Sequence, residues 1–155
     1  MIRSFFTSLL LLSGICTTLE AVHAERPFYA CEPTAEDEMG PLYVQGAPER
    51  NQIGTGYLLM GTVKSATDCK PVANARIEIW MAGPQGHYGD DWRAILFSAG
   101  NGGYYFRSHV PPDYGAGRPH IHVKVSGDGY KTLITQHYPV ENAGEAVFDL
   151  VLVPN

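Results

Sequence analysis

The chain has 155 residues, 45% of them hydrophobic, and carries 11 Lys and Arg against 16 Asp and Glu, for a formal net charge of −5 at pH 7. An acidic balance without a basic run offers no field for phosphate backbones, so nucleic acid is excluded as an expected partner. The length suits one domain around one hydrophobic core, not an array of domains.

The N-terminus starts Met1-Ile2-Arg3, continues with an apolar run over 5–12 and reaches Ala21-Val22-His23-Ala24. A positive start, a short apolar middle and small residues at the end predict a signal peptide over 1–24, cut after Ala24, and hence an exported, periplasmic or secreted protein. The apolar run is too short to span a bilayer, so no membrane is expected in the mature form. Lipid attachment at Cys16 is disfavoured, because Ile15 stands where a small residue is required. Two cysteines then remain, Cys31 and Cys69, with no Cys-x-x-Cys spacing. In an oxidising compartment they are expected to form a disulfide.

Residues 25–57 hold Pro27, Pro33, Pro41 and Pro48 with Gly40, Gly46, Gly54 and Gly56, too many breakers for regular ladder pairing. With Phe28, Tyr29 and Tyr43 available for packing, they predict an N-terminal arm lying over the rest. Cys31 would fasten it to the turn Asp68-Cys69-Lys70-Pro71. Residues 58–155 read as the main domain, short β segments separated by Gly, Pro, Asn and Asp. Strands are expected at 58–63, 76–80, 104–108 after the turn Asn101-Gly102-Gly103, 120–125, 133–136 and 146–153. In the second of these, Ile77 and Ile79 face one way and Arg76, Glu78 and Trp80 the other, as in a half-buried strand. No amphipathic helix of three turns is visible. The fold class is all-β, a two-sheet antiparallel sandwich with the arm packed over it.

The most informative stretch contains Pro112-Asp113-Tyr114 and Arg118-Pro119-His120-Ile121-His122-Val123-Lys124-Val125. Two histidines at i and i+2 on a strand share a face, while Ile121, Val123 and Val125 point to the core. Such a pair can grip one metal, but imidazole suits iron, zinc, copper and nickel alike, and two solvated histidines on an open face is an equal reading. The surroundings offer tyrosine instead of carboxylate: Tyr114 upstream, and Tyr88 in the turn Gly86-His87-Tyr88-Gly89-Asp90. A phenol loses its proton near pH 10, so tyrosinate at neutral pH implies a strongly Lewis-acidic, trivalent ion. A lone tyrosine is more often a packing residue.

These residues, together with Glu38-Met39-Gly40-Pro41-Leu42-Tyr43-Val44, Cys69-Lys70-Pro71-Val72, Ala75-Arg76-Ile77-Glu78-Ile79-Trp80, Gly102-Gly103-Tyr104-Tyr105-Phe106 and Thr135-Gln136-His137-Tyr138, make the chain resemble the intradiol ring-cleavage dioxygenases. That family includes protocatechuate 3,4-dioxygenase and catechol 1,2-dioxygenase. The resemblance implies one non-haem Fe(III) per chain on Tyr88, Tyr114, His120 and His122, with Tyr88 permanent and Tyr114 displaced when substrate arrives. It implies a catecholic substrate and O2, and ring opening between the two hydroxyls to a cis,cis-muconate-type diacid. Arg118 and Gln136 would stand beside the substrate. Tyr43 would line the pocket or, equally, anchor the arm. Should Tyr114 not be a ligand, Tyr104 or Tyr105 is the next candidate, with Tyr104 favoured because it shares a strand face with Phe106 and Ser108. Two departures stand out: Arg118-Pro119 abuts His120 where the family usually has an intervening residue, and His87 beside Tyr88 is a competing donor. His109 and His137 match no ligand position and are read as surface or pocket-edge residues. The rival reading is a non-catalytic transthyretin-like or carboxypeptidase-regulatory-like sandwich, suggested by residues 61–63 and 71–77, which lacks the tyrosine and histidine set. A homo-oligomer is compatible with either.

Overall fold

Alternation of side chains decides how the strands lie. In β1 (Tyr57–Ser65), Tyr57, Leu59 and Val63 are buried on one face. In β2 (Arg76–Met81), Ile77 and Ile79 do the same. β3 (Arg93–Phe97), β4 (Gly103–Ser108), β5 (Ile121–Ser126), β6 (Leu133–His137), β7 (Glu145–Val147) and β8 (Leu150–Leu152) complete the element order, with one short 3-10 turn at Asp90–Trp92. The computed structural model describes residues 28–113 and 117–155; the leader expected over 1–24 and Tyr114 lie outside them. Among the described residues no helix is long and apolar enough to cross a membrane.

Two sheets result. One runs β4-β1-β7 with β8 also on β1, and the other runs β3-β2-β5-β6. Their facing sides meet in one core, with Leu59, Val63, Phe106, Leu150 and Leu152 opposite Ile77, Ile79, Ile121, Val123 and Val125. Each such side chain contributes about 1.5–3 kcal/mol of burial.

The second sheet is antiparallel throughout, whereas β7 and β8 run parallel to β1. The strand expected over 146–153 is in fact broken at Phe148 and Asp149. There the Phe148 N–H donates to Met60 O (2.7 Å), and the Asp149 carboxylate accepts from Thr62 N (2.9 Å) and pairs with Lys64 (2.5 Å). This step shifts the pairing from Met60 to Val63 along β1. β3 was not expected from the sequence, because Arg93-Ala94-Ile95-Leu96-Phe97 reads as a short apolar run without alternation. Its register against β2 nevertheless places Ala94 and Leu96 on the core side.

The outer face of β2 is not half-buried: Glu78 is 3% and Trp80 2% exposed. The arm covers it. Ala30 N and Cys31 N donate to Ala66 O (2.9 and 3.1 Å), and Cys31 and Cys69 are disulfide-bonded with Cα atoms 5.4 Å apart. The arm then bonds Val151 and Ile134, lays Tyr43 on Glu78, pairs Arg50 with Ile95 on β3 and reaches Arg107 on β4. Burial opposes ionisation of Glu78, but the Tyr43 hydroxyl, Lys124 and Arg76 together hold its carboxyl below the usual range.

Candidate metal centre

His122 lies on the outer face of β5 and His120 immediately precedes the strand, so the i, i+2 spacing brings both rings to one place. Both are buried, His120 at 9% and His122 at 5% exposure, and their Nε2 atoms stand 3.0 Å apart. The Tyr88 hydroxyl is 3.4 Å from the same His122 Nε2. Tyr88 arrives from the turn after β2, where Gly83 N donates to His87 O, Gly86 N donates to Gly83 O and Gly86 takes φ 78°. That left-handed residue turns Tyr88 inward and leaves its neighbour His87 exposed, removing His87 as a competitor.

The electrostatics suit metal donors. His120 Nδ1 donates to Arg118 O at 2.7 Å, which leaves a lone pair on Nε2. Burial, and then the neighbouring His120, push His122 down to about 4, so its ring is neutral at pH 7. Donor separations of 3.0 and 3.4 Å match neighbouring ligands around an ion with bonds of about 2.0–2.1 Å, which subtend roughly 2.9–3.4 Å. Among the described residues no three His, Cys, Asp or Glu side chains gather to hold a metal, so an ion here would need phenol ligands as well as the two imidazoles. The second tyrosine of the expected set, Tyr114, lies outside the described residues.

The donors open into a cavity of about 620 Å³, walled by the arm through Asp37, Glu38 and Gly40, by β6 through Gln136 and by Tyr138 just beyond that strand. One aromatic ring fits such a volume easily. Gly40 is required: its φ is +68°, and a Cβ there would stand 3.2 Å from His122 Cε1. Arg118 also lines the cavity, its guanidinium 4.9 Å above the Tyr138 ring, so the missing residue before His120 does not carry it away. Gln136 lines the cavity too, but its side chain is engaged, donating to Glu38 O (2.7 Å) and accepting from the Tyr138 hydroxyl (2.9 Å).

Of the two roles left open for Tyr43, the pocket wall is corrected and the arm anchor holds: its hydroxyl donates to Glu78 (3.0 Å) and its ring packs edge-on against Trp80. Tyr104 sits in the core with its hydroxyl on Phe148 O (2.5 Å), far in register from the histidines. His109 donates to Ala82 O (3.0 Å) beneath Trp92, and His137 is hydrogen-bonded to Tyr57 (2.6 Å) beside Phe148, so both are half-buried and engaged away from the metal centre. Asp37 and Tyr138 were missed as site residues, although Tyr138 closes the Thr135-Gln136-His137-Tyr138 segment that drew attention to Gln136. A larger cleft of about 850 Å³, along β1, β3 and β4, gathers no comparable donor set.

No protein-family model matches the chain. Among curated proteins it is 33% identical to the catechol 1,2-dioxygenase of Acinetobacter baylyi, in an alignment that covers 63% of this chain and 43% of that one. It is 30% identical to the 6-chlorohydroxyquinol 1,2-dioxygenase of Cupriavidus pinatubonensis, in an alignment that covers 79% of this chain and 55% of the other. The chain thus spans about half the length of the curated relatives it matches. Among solved structures, the dioxygenase domain of a dioxygenase and carbohydrate-binding protein fusion from Streptomyces sp. SirexAA-E superposes with a TM-score of 0.72 at 27% identity, over 80% of this chain and 100% of that one. The catechol 1,2-dioxygenase of Acinetobacter radioresistens shares the fold, with a TM-score of 0.71 at 22% identity over 80% of this chain and 63% of the other.

Proposed function

The chain belongs to the intradiol ring-cleavage dioxygenase family, and from that premise we propose that it opens a catechol-type ring between its two hydroxyls with O2, giving a cis,cis-muconate-type diacid. One non-haem Fe(III) per chain would be held by Tyr88, Tyr114, His120 and His122. The observation that carries this reading is the convergence of two imidazole Nε2 atoms and one phenol oxygen, within 3.0 and 3.4 Å, at the end of a ring-sized cavity. When bound, ferric iron supplies the Lewis acidity that holds phenolate at neutral pH and draws electron density from a chelated catecholate.

The chain's own part is positioning and charge. The Arg118 carbonyl fixes the His120 tautomer, and burial keeps His122 neutral, so both rings present lone pairs. Tyr88 stays in place through catalysis, while Tyr114 accepts a proton from a substrate hydroxyl. The Arg118 guanidinium, held over Tyr138, faces the negative charge of a deprotonated catechol. Gln136 ties the arm to β6 and so keeps the cavity wall closed beside the ring. Export follows in the same reading: residues 1–24 act as a leader, and the Cys31–Cys69 bond suits an oxidising compartment.

The test is oxygen consumption by iron-loaded mature protein across catechol, hydroxyquinol and protocatechuate, with iron content and visible colour measured on the same sample. About one iron per chain, a red to burgundy colour and oxygen uptake with at least one of the three are expected. Colourless protein that refuses ferric iron would sink the reading.

A further inference from the structure

The two imidazoles at the centre are oriented by different means. His120 has a carbonyl on its Nδ1. His122 is held less directly: its buried Nδ1 makes no well-formed hydrogen bond, because the Glu38 backbone carbonyl that faces the ring is already engaged by the Gln136 amide. A histidine that binds metal is ordinarily fixed by a hydrogen bond at its second nitrogen, because the lone pair of the first must point at one place. Here the ring lies flat on the indole of Trp80, centroids 4.8 Å apart and planes within 2°. The ladder makes this contact, since Trp80 and His122 are direct partners across β2 and β5 and project from the same outer face.

The indole is itself immobilised. Trp80 is 2% exposed, and Tyr43 packs against it with centroids 5.1 Å apart and planes at 64°. The Tyr43 hydroxyl donates to Glu78 and accepts from Lys124, each at 3.0 Å. The Gly40 backbone closes on the His122 ring at Cε1. Turning that ring would drive it into the indole or into the arm, and would move Nε2 from its place beside His120 and Tyr88.

We propose that Trp80 is a positioning residue: it holds the plane of His122 by stacking, where the second ring nitrogen lacks the well-formed hydrogen bond that fixes His120, with Glu78 and Tyr43 bracing it from behind. This rests on the ferric reading of the site. The test compares Trp80→Phe, which can stack, with Trp80→Met, which fills space without a ring, in full-length mature protein. Ferric affinity, the visible charge-transfer band and the ferric electron paramagnetic resonance spectrum are read beside the melting temperature. Trp80→Phe should keep the band and bind iron within about threefold of wild type. Trp80→Met should bind roughly 10-fold or more weakly, as loss of an orienting partner typically does, with a shifted band and a broader resonance. A folded Trp80→Met protein with wild-type affinity and spectra would overturn the inference while leaving the ferric reading intact. Failure of the wild type to bind ferric iron would overturn the ferric reading and the inference with it. If Trp80→Met does not fold, iron-free wild type decides: the His122 Cε1–H proton should be shifted by the indole ring current, and an ordinary histidine shift would refute the stack.

Discussion

Replacing Cys31 and Cys69 with serine would separate the arm from the sandwich at one defined point. The bond links positions 38 apart in sequence, and closing a loop of that size restricts the unfolded chain enough to stabilise the native state by about 4 kcal/mol at 25 °C in the chain-entropy treatment. For a domain of about 130 residues, that loss corresponds to a drop of about 15 °C in melting temperature. The effect should be uneven. The arm's first anchors, Ala30 and Cys31 on Ala66, lie next to the bond, whereas the histidine pair rides on β5 between β2 and β6. Hydrogen exchange should therefore quicken sharply at Ala30 and Cys31 and stay slow at Val123, and ferric affinity should change less than fivefold. An unchanged melting temperature, or thiols freely alkylated in protein from an oxidising compartment, would refute the reasoning. So would a collapse of iron binding with the core intact.

Tyr88→Phe should lose most of the iron, whereas Tyr114→Phe should keep iron with a weaker, altered colour but little turnover; full colour and activity in Tyr114→Phe would remove Tyr114 from the ligand set. Apo-protein stability should fall as pH drops from about 6.5 toward 4, because burial pushes His137 down to about 4. The unfolded chain takes up a proton there that the native state refuses. With the ring only partly shielded, His137 contributes on the order of 1–2 kcal/mol of this loss, and urea titrations should show His137→Gln making the fall shallower, while His122, also held down to about 4, keeps the remainder. Gly40→Ala combines a strained φ of +68° with a Cβ at 3.2 Å from His122, so it should cost about 1 kcal/mol or more and weaken ferric binding measurably by titration. Wild-type affinity in that variant would mean that the arm can shift without disturbing the ring.

Where local pattern and tertiary setting agree, the sequence was readable. The His120, Ile121 and His122 alternation foretold which side chains meet the core and which meet each other, because a strand's period of two leaves no other choice. β3 escaped because Ala94 blurs the alternation, and the break at Phe148 and Asp149 escaped because it is made by Thr62 and Lys64 on a distant strand. The burial of Glu78 and Trp80 could not be read from β2 at all, since the cover comes from Tyr43 on the arm. Tyr57 and His137 find each other across the core, a pairing that no local pattern signals. The turn at Gly86 was legible as a turn, but which of His87 and Tyr88 it sends inward depended on its hydrogen bonds to Gly83.

The arm also divides labour within the cavity. The nitrogen donors belong to a strand locked in register between two neighbours, where any change disturbs a ladder and a core at once. Asp37, Glu38 and Gly40 belong to a strap that is stitched on at intervals and has free length between its stitches. The side chains of Asp37 and Glu38 can be exchanged without moving an imidazole, unlike Gly40, which the His122 ring constrains, and Tyr43, which braces the Trp80 ring. A scaffold so divided can drift in the rings it admits while its inorganic chemistry stays fixed, and a library confined to Asp37, Glu38 and Leu42, which also lines the cavity, is where altered selectivity should first be sought.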